Sequence, residues 1–511
     1  MTFIRPLISS ATALLLLGST ATAALADAEN TTLTVAAPWQ ITALDPASSG
    51  TVLTRMGVTE PLTQPDPGGE IAPLLAESWS ANDDLTVWRF VLRSGVEFHD
   101  GTPLTAETVA ANLTRFQDAS ALSQAPIETI SADGNEIVVT LSRTFAPLPA
   151  YLSHWSTGIV SAATLAQEEP SELHGTGYYR IVEQDGASGL SLEAFDGYWD
   201  DRPGIEQAEY LHVPDAGTRY AMVRSGEAEL AFGMVANAVD APTASDRFSI
   251  IIAPTPRIRA LKINVASEPF SDLRVRQALN MAIDREGIAS ALLASPDTAA
   301  TQLLPSVVAA WHQPDLPSFT YDPAAARALL EDAGWSAGDD GVLERDGVDL
   351  AFEILAYNAR PELPAIAAAV QAQFAEVGVR GDIVNVEWTA IPARHDDGTL
   401  ETAVVSDGFG YIPEPIGAIA RNFTDGGGAW GSMGWQNAEF DALVAEYEAT
   451  NDPDAQARLR QDMMTILHEE LPLITITWYD ETYAISHDID GFTFDTFEMR
   501  YGLNAVTWVD N

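Results

Sequence analysis

The chain has 511 residues, 26 of them basic and 73 acidic, for a formal charge of −47 with the histidines neutral. That sign opposes a phosphate backbone and argues against nucleic acid as a partner, while 46% hydrophobic residues suffice for a large core and argue against general disorder. Cysteine is absent, which excludes disulfides, thiolate metal sites, thiol nucleophiles and a lipidated cysteine.

At roughly 150 residues per domain the length suggests about three domains. Lys262 is the only lysine; every other basic residue is arginine. Such a surplus of carboxylates with almost no lysine fits life in variable or high salt, and a GC-rich genome would produce the same bias. Arg5, the apolar run Leu7–Leu17 and the small-residue site Ala24-Leu25-Ala26 read as a cleavable signal peptide over 1–26. The mature chain is then expected to be exported, soluble and periplasmic.

Leu33–Ala37 predicts a strand, followed by a loop through Asp45-Pro46. Pro65–Gly69 predicts a hairpin turn before Ile71. Alternation over Val87–Leu92 predicts a half-buried strand, and Glu136–Leu141 another after the Asp133-Gly134-Asn135 turn. Thr105 is placed to cap a helix running to Phe116, with Val109, Leu113 and Phe116 on one face. Further on, helices are predicted over 275–283, 324–333, 363–377 and 437–450, a strand over 350–355, and a glycine-rich loop over 426–434. Strands separated by helices indicate an α/β protein with more than one lobe.

Several segments, in order, resemble the family 5 extracellular solute-binding proteins of ABC importers, the peptide, nickel and opine binders. They include Pro73–Trp79, the long run Trp88–Gly101 with Thr105-Ala106-Glu107, Gly175–Tyr179, Tyr198-Trp199, Val213-Pro214-Asp215, Val275–Asn280, Ala282–Arg285 and Tyr321-Asp322-Pro323. The resemblance implies a two-lobed periplasmic-binding-protein fold with a hinged cleft between the lobes. It divides the chain into lobe 1 over 27–255, with an extra subdomain at about 70–160, lobe 2 over 256–479, and a C-terminal segment over 480–511 returning to lobe 1. It also implies an ABC permease as partner, a small-molecule or peptide ligand, action as a monomer, and no cofactor.

Most of these motifs read as scaffold. Trp79, Trp88 and Phe98 suit a core. His99-Asp100-Gly101 suits a turn rather than a catalytic dyad. Arg274, Arg276 and Arg285 are expected to pair with Asp272 and Asp284. Family peptide binders hold the ligand's ammonium with an aspartate in a Gly-Asp-Tyr-x-Asp-Pro loop; here Gly410-Tyr411-Ile412-Pro413-Glu414-Pro415 has Tyr411 in that place and keeps only Glu414. An unpaired buried ammonium is costly, so ordinary dipeptide binding would need Asp407 or Glu414 as substitute. Phe409 and Tyr411 resemble the aromatics of the nickel-binding branch. That branch also uses an arginine near 151–160 and a histidine near Gly426; neither is present, and His154 is the available imidazole. Trp39, Trp155, Trp430, Arg257, Arg259 and Arg421 complete a candidate cleft with aromatic walls and a carboxylate-binding arginine. Whether a metal binds is left open.

Enzyme motifs fail one by one. His468-Glu469-Glu470-Leu471 lacks the second histidine of a zinc site, Gly431-Ser432-Met433-Gly434 is no nucleophile elbow, and the Gly426 loop has no phosphate-binding lysine. The expectation is a non-enzymatic binding protein for an oligopeptide-like or amino-acid-derived solute. A nickel or other metal–chelator complex is the alternative, and a sensory or chaperone-like role the alternative of another class.

Overall fold

Two long antiparallel strands, Phe248–Ile263 and Leu473–Ser486, run side by side through the centre of a ten-stranded sheet in the computed structural model. The structure describes residues 31–234, 246–358, 360 and 362–509. The signal segment expected over 1–26 and its expected cleavage site lie outside them. Among the described residues no helix is long and apolar enough to cross a membrane.

On one side the long strands are extended by Thr402–Gly408, antiparallel, then by Ala351–Tyr357 and Arg380–Val386, both parallel. The helix Glu362–Glu376 bridges the last two and buries Leu363, Ile366, Val370 and Phe374 against them, the i, i+3, i+4 spacing of one apolar stripe. On the other side lie Leu230–Ala231, Thr32–Ala37 and Gln207–His212, then the hairpin strands Gly189–Ala194 and Tyr179–Asp185. This is the two-lobed α/β architecture, with one large apolar cluster for each half of the sheet.

A third cluster belongs to a separate four-stranded antiparallel sheet in the order Ala76–Ala81, Val87–Leu92, Glu136–Leu141, Ile127–Asp133. Along Val87–Leu92, residues Trp88, Phe90 and Leu92 are buried while their neighbours are more exposed, as the period-2 pattern requires. The helix Ala106–Phe116 packs on this sheet, capped by Thr105, whose hydroxyl accepts from the Thr108 N–H. Phe98 is buried and Trp79 half-buried. Glu60 ties the region to the main body: its carboxylate accepts from Thr176 Oγ1, Tyr198 Oη and Trp199 Nε1 at 2.8, 2.9 and 3.0 Å.

His99-Asp100-Gly101 is a turn. Gly101 has φ +79° and its N–H reaches Phe98 O, Asp100 Oδ1 accepts from Thr102, and His99 is held between Gly177 O and the Gly175 N–H. The expected loop ends where the helix Pro46–Arg55 begins: Asp45 caps it and Pro46 opens it, and its Gly50 lies so close to Trp155 O that a Cβ there would sit 2.5 Å away. The expectation for the arginines needs correction. Of the three arginines, Arg274 does pair with Asp272, at 2.6 Å. Arg276 and Arg285 are buried and donate to carbonyls instead, Arg276 to Glu470 and Phe270, Arg285 to Thr475 and Asn280. Asp284 is occupied as the cap of the helix Arg285–Ala291.

Candidate functional site

The long strands change register between Thr255 and Ile258, where the chain passes from one half of the sheet to the other. After this bulge Ile258 points into the core, and Arg257 and Arg259, one residue to either side, point together to the opposite face. That face forms a wall of a cavity of about 1560 Å³, lined from both halves of the sheet by Trp39, Arg219, Gly233 and Glu481 and by Arg259, Tyr357, Arg421 and Trp430, among others.

Five arginines (219, 257, 259, 360 and 421) and five carboxylates (Asp215, Glu362, Asp407, Asp480 and Glu481) share the lining. Across the whole chain acids outnumber bases 73 to 26, so the cavity is markedly less acidic than the molecule around it. Most of these arginines are already engaged. Arg257 donates from Nε to Glu498 at 2.7 Å and from a terminal nitrogen to Tyr411 Oη, with its guanidinium 4.7 Å from the Tyr411 ring centroid. Burial works against its charge, yet Glu498 outweighs this and holds its pKa above the ordinary value. Arg55 shares Glu498, through the backbone carbonyl at 2.6 Å and the carboxylate at 3.6 Å, and lies 4.3 Å over Trp39. Arg259 pairs with Glu362 at 3.2 Å and lies 3.9 Å over Tyr479. Arg219 is spent on the carbonyls of Val213, Pro214 and Gly233. Arg421 is 3.6 Å from Asp407, which also accepts from Asn422 Nδ2.

Arg360 differs. It donates to Tyr479 Oη at 3.1 Å, and among the described residues it forms no ion pair. Its guanidinium lies 5.3 Å over the Tyr479 ring, and of its five donors the others have no partner among the described residues. Two residues along the strand from Tyr479, Glu481 accepts from the Gly233 N–H at 2.5 Å, and burial, reinforced by Glu498, raises its pKa. Aromatic rings fill the spaces between: Trp430 meets Tyr357 edge-on at 5.9 Å and stacks on the half-exposed Trp388 at 6.4 Å.

Of the residues singled out from sequence, Trp39, Arg257, Arg259, Tyr411, Arg421 and Trp430 line this cavity. The other four do not. Phe409 is buried in the core of the second half. Glu414 faces the other way, accepting from Trp311 Nε1 at 2.9 Å, with burial raising its pKa. His154 caps a short helical turn: its Nδ1 accepts from the Ser156 N–H, and burial drives its pKa down to about 3. Trp155 stands behind Tyr411, 5.1 Å away and edge-on. Sequence reasoning missed Arg360, Tyr479, Glu481 and Trp388. Arg360 stands just past the carboxyl end of Ala351–Tyr357, where ligand loops of α/β sheets gather, and that position was the available signal. Among the described residues no group of three His, Asp or Glu side chains is arranged to hold a metal ion.

Residues 70–429 match the model for bacterial extracellular solute-binding proteins, family 5 Middle. The dipeptide-binding protein of Escherichia coli (strain K12) is 27% identical over 471 residues, covering 85% of this chain and 86% of that protein. The glutathione-binding protein GsiB of the same strain is 27% identical over 440 residues, covering 82% and 83%. Among solved structures, NikA from Brucella suis in complex with Fe(III)-EDTA superposes with a TM-score of 0.83 at 23% identity, over 93% of this chain and all of that one.

Proposed function

The chain belongs to the bacterial extracellular solute-binding proteins of family 5, and we propose that it captures an amino-acid-derived or oligopeptide-like solute bearing a carboxylate for delivery to an ABC permease. The observation that carries this reading is Arg360, a guanidinium without an ion-pair partner among the described residues, facing an aromatic-walled cavity in a strongly acidic protein. Bidentate carboxylate binding is what such a fork does best. The volume, about 1560 Å³, exceeds the ~300–1,000 Å³ typical of small-ligand pockets and suits more than a single amino acid. The relatives named for dipeptide and glutathione binding are in keeping with this class.

A ligand biases closure only if it binds the closed form better, so groups from both lobes must reach it; Trp39 and Glu481 on one side and Arg360 and Trp430 on the other meet that need. We place the lobe boundaries at the strand crossing, near 255–256 and 479–480. The free amine of a peptide is disfavoured. Tyr411 already accepts from Arg257, Asp407 is engaged by Asn422 and Arg421, and Glu414 lies outside the cavity. A metal, if carried, would arrive inside its own chelator and be gripped through the chelator's carboxylates.

Native mass spectrometry of protein purified from its own host would identify a retained ligand. Calorimetric titration with a simple dipeptide and its N-acetylated form tests the chemistry: the acetylated form is expected to bind better. Free amine preferred by tenfold or more would transfer the ammonium site to Glu481 or Asp407 and return the chain to ordinary dipeptide binding.

A further inference from the structure

The chain's only lysine is fully buried, and its ammonium meets three carbonyls of one loop: Gly428 O at 2.9 Å, Gly431 O at 2.6 Å and Ser432 O at 3.2 Å. The Gly431 N–H also returns to Gly428 O at 3.1 Å, closing a β-turn whose two central residues are Ala429 and Trp430. The ammonium therefore fastens both feet of the turn that presents Trp430 to the cavity. We propose that Lys262 is a positioning residue for the ligand cavity, fixing Trp430 and through it the aromatic wall of Tyr357 and Trp388.

The chemistry favours lysine here. Three convergent carbonyls fit the three donors of a compact ammonium, whereas a planar guanidinium would spread them. Among the described residues Lys262 forms no ion pair, and burying a cation without a carboxylate is expensive. Burial draws the amine's pKa down to about 7, with Asp407 pulling the other way. The neutral amine still donates two of the three bonds. The loop has little other freedom: a Cβ on Gly431 would lie 2.3 Å from Asn422 Cβ, and one on Gly427 1.9 Å from Ser432 O. The turn thus rests on Asn422 on one side and hangs from Lys262 on the other, with Ser432 N donating to Asn422 O at 3.0 Å.

The inference depends on the ligand reading for its consequence but not for its test. Protein labelled with 5-fluorotryptophan would be followed by fluorine NMR, with the Trp430 line assigned by Trp430→Phe. In Lys262→Met the Trp430 line should shift or broaden, and that of its neighbour Trp388 with it. The lines of Trp88 in the small sheet and Trp335 in the second core should stay in place. Should Lys262→Met fail to fold, Lys262→Gln, which keeps two donors, serves for the same comparison. An unmoved Trp430 line overturns the proposal, as does movement of Trp88 and Trp335 by as much as Trp430. An N-acetylated dipeptide as probe should bind about tenfold more weakly to Lys262→Met, and no more weakly again when Trp430→Ala is added. Additive losses would overturn the link to Trp430. Failure of the probe to bind the unmodified protein would count against the ligand reading alone, because the fluorine lines need no ligand.

Discussion

The small four-stranded sheet and the cavity treat their polar and aromatic groups in opposite ways. In the sheet the rings are sealed inside, with Phe90 wholly buried between Trp79 and Trp88, and the ion pairs of Arg89 with Asp133 and Glu136 stand outside in solvent. In the cavity the guanidiniums of Arg257 and Arg259 are themselves buried, lying over Tyr411 and Tyr479 and paired with Glu498 and Glu362. The sheet is assembled from residues 76–141, whereas the cavity draws on residues from Pro38 to Thr482. Local strands and turns build the first; only the meeting of distant segments at the strand crossing builds the second. Surface pairs contribute little to stability, whereas a buried charge that loses its partner is costly, so the two regions should respond differently to the same kind of substitution.

Phe90→Ala is the most severe of these tests, removing a fully buried ring at a cost of ~3–5 kcal/mol in urea unfolding while leaving ligand affinity unchanged. A large loss of affinity would show that the sheet and the cavity are coupled. Arg257→Met should destabilise by nearly as much, ~3 kcal/mol, because it leaves Glu498 short of a partner. Arg360→Met should leave stability intact and weaken a carboxylate ligand by ~1.5–3 kcal/mol, roughly ten- to more than a hundredfold. If Arg360→Met destabilised like Arg257→Met, the contrast between a structural and a ligand-facing arginine would collapse.

Acid should find the sheet's border before the cavity. His99 must be neutral to accept from Gly175 while donating to Gly177, and burial lowers its pKa from 6.5 to about 4. The unfolded chain therefore binds the extra proton between those values, and stability falls as pH drops from about 6.5 toward 4, by about 2 kcal/mol at pH 5. Buried Glu60, raised to about 7, works in the other sense: it stabilises toward low pH, and that stability is lost as pH rises through 4.5 to 7. The measurement is thus the difference between the unmodified protein and His99→Asn at pH 7 and pH 5; an equal fall in both would remove His99 from the account. The smallest effect expected is from salt. With a charge of −47, screening should raise the melting temperature between low salt and ~1 M NaCl. A flat response would mean that the carboxylates are already balanced locally.

What could be read from sequence follows the same division. Val87–Leu92 and Glu136–Leu141 have the bounds expected from the sequence, and Thr105 caps the helix it was expected to cap. These are short-range signals. Pro46–Arg55 was missed because its helix has few apolar residues and is held by packing on Trp155, a contact about a hundred residues away. In the cavity, Arg257 and Arg259 were found by their proximity to a strand, but nothing local distinguishes Phe409, which turns into the core, from Tyr411, which turns out. Glu414 looked like a retained acid and is satisfied by Trp311. Arg360 escaped because its lack of an ion pair among the described residues shows only in the assembled cavity.

The burial of Lys262 also makes the protein almost mute to amine chemistry. With every other basic residue an arginine and this one amine sealed under a loop, reagents that acylate or reductively alkylate lysines meet no exposed lysine side chain on the folded chain. Incorporation of a label at Lys262 would then be a clock for the opening of the loop that it holds shut.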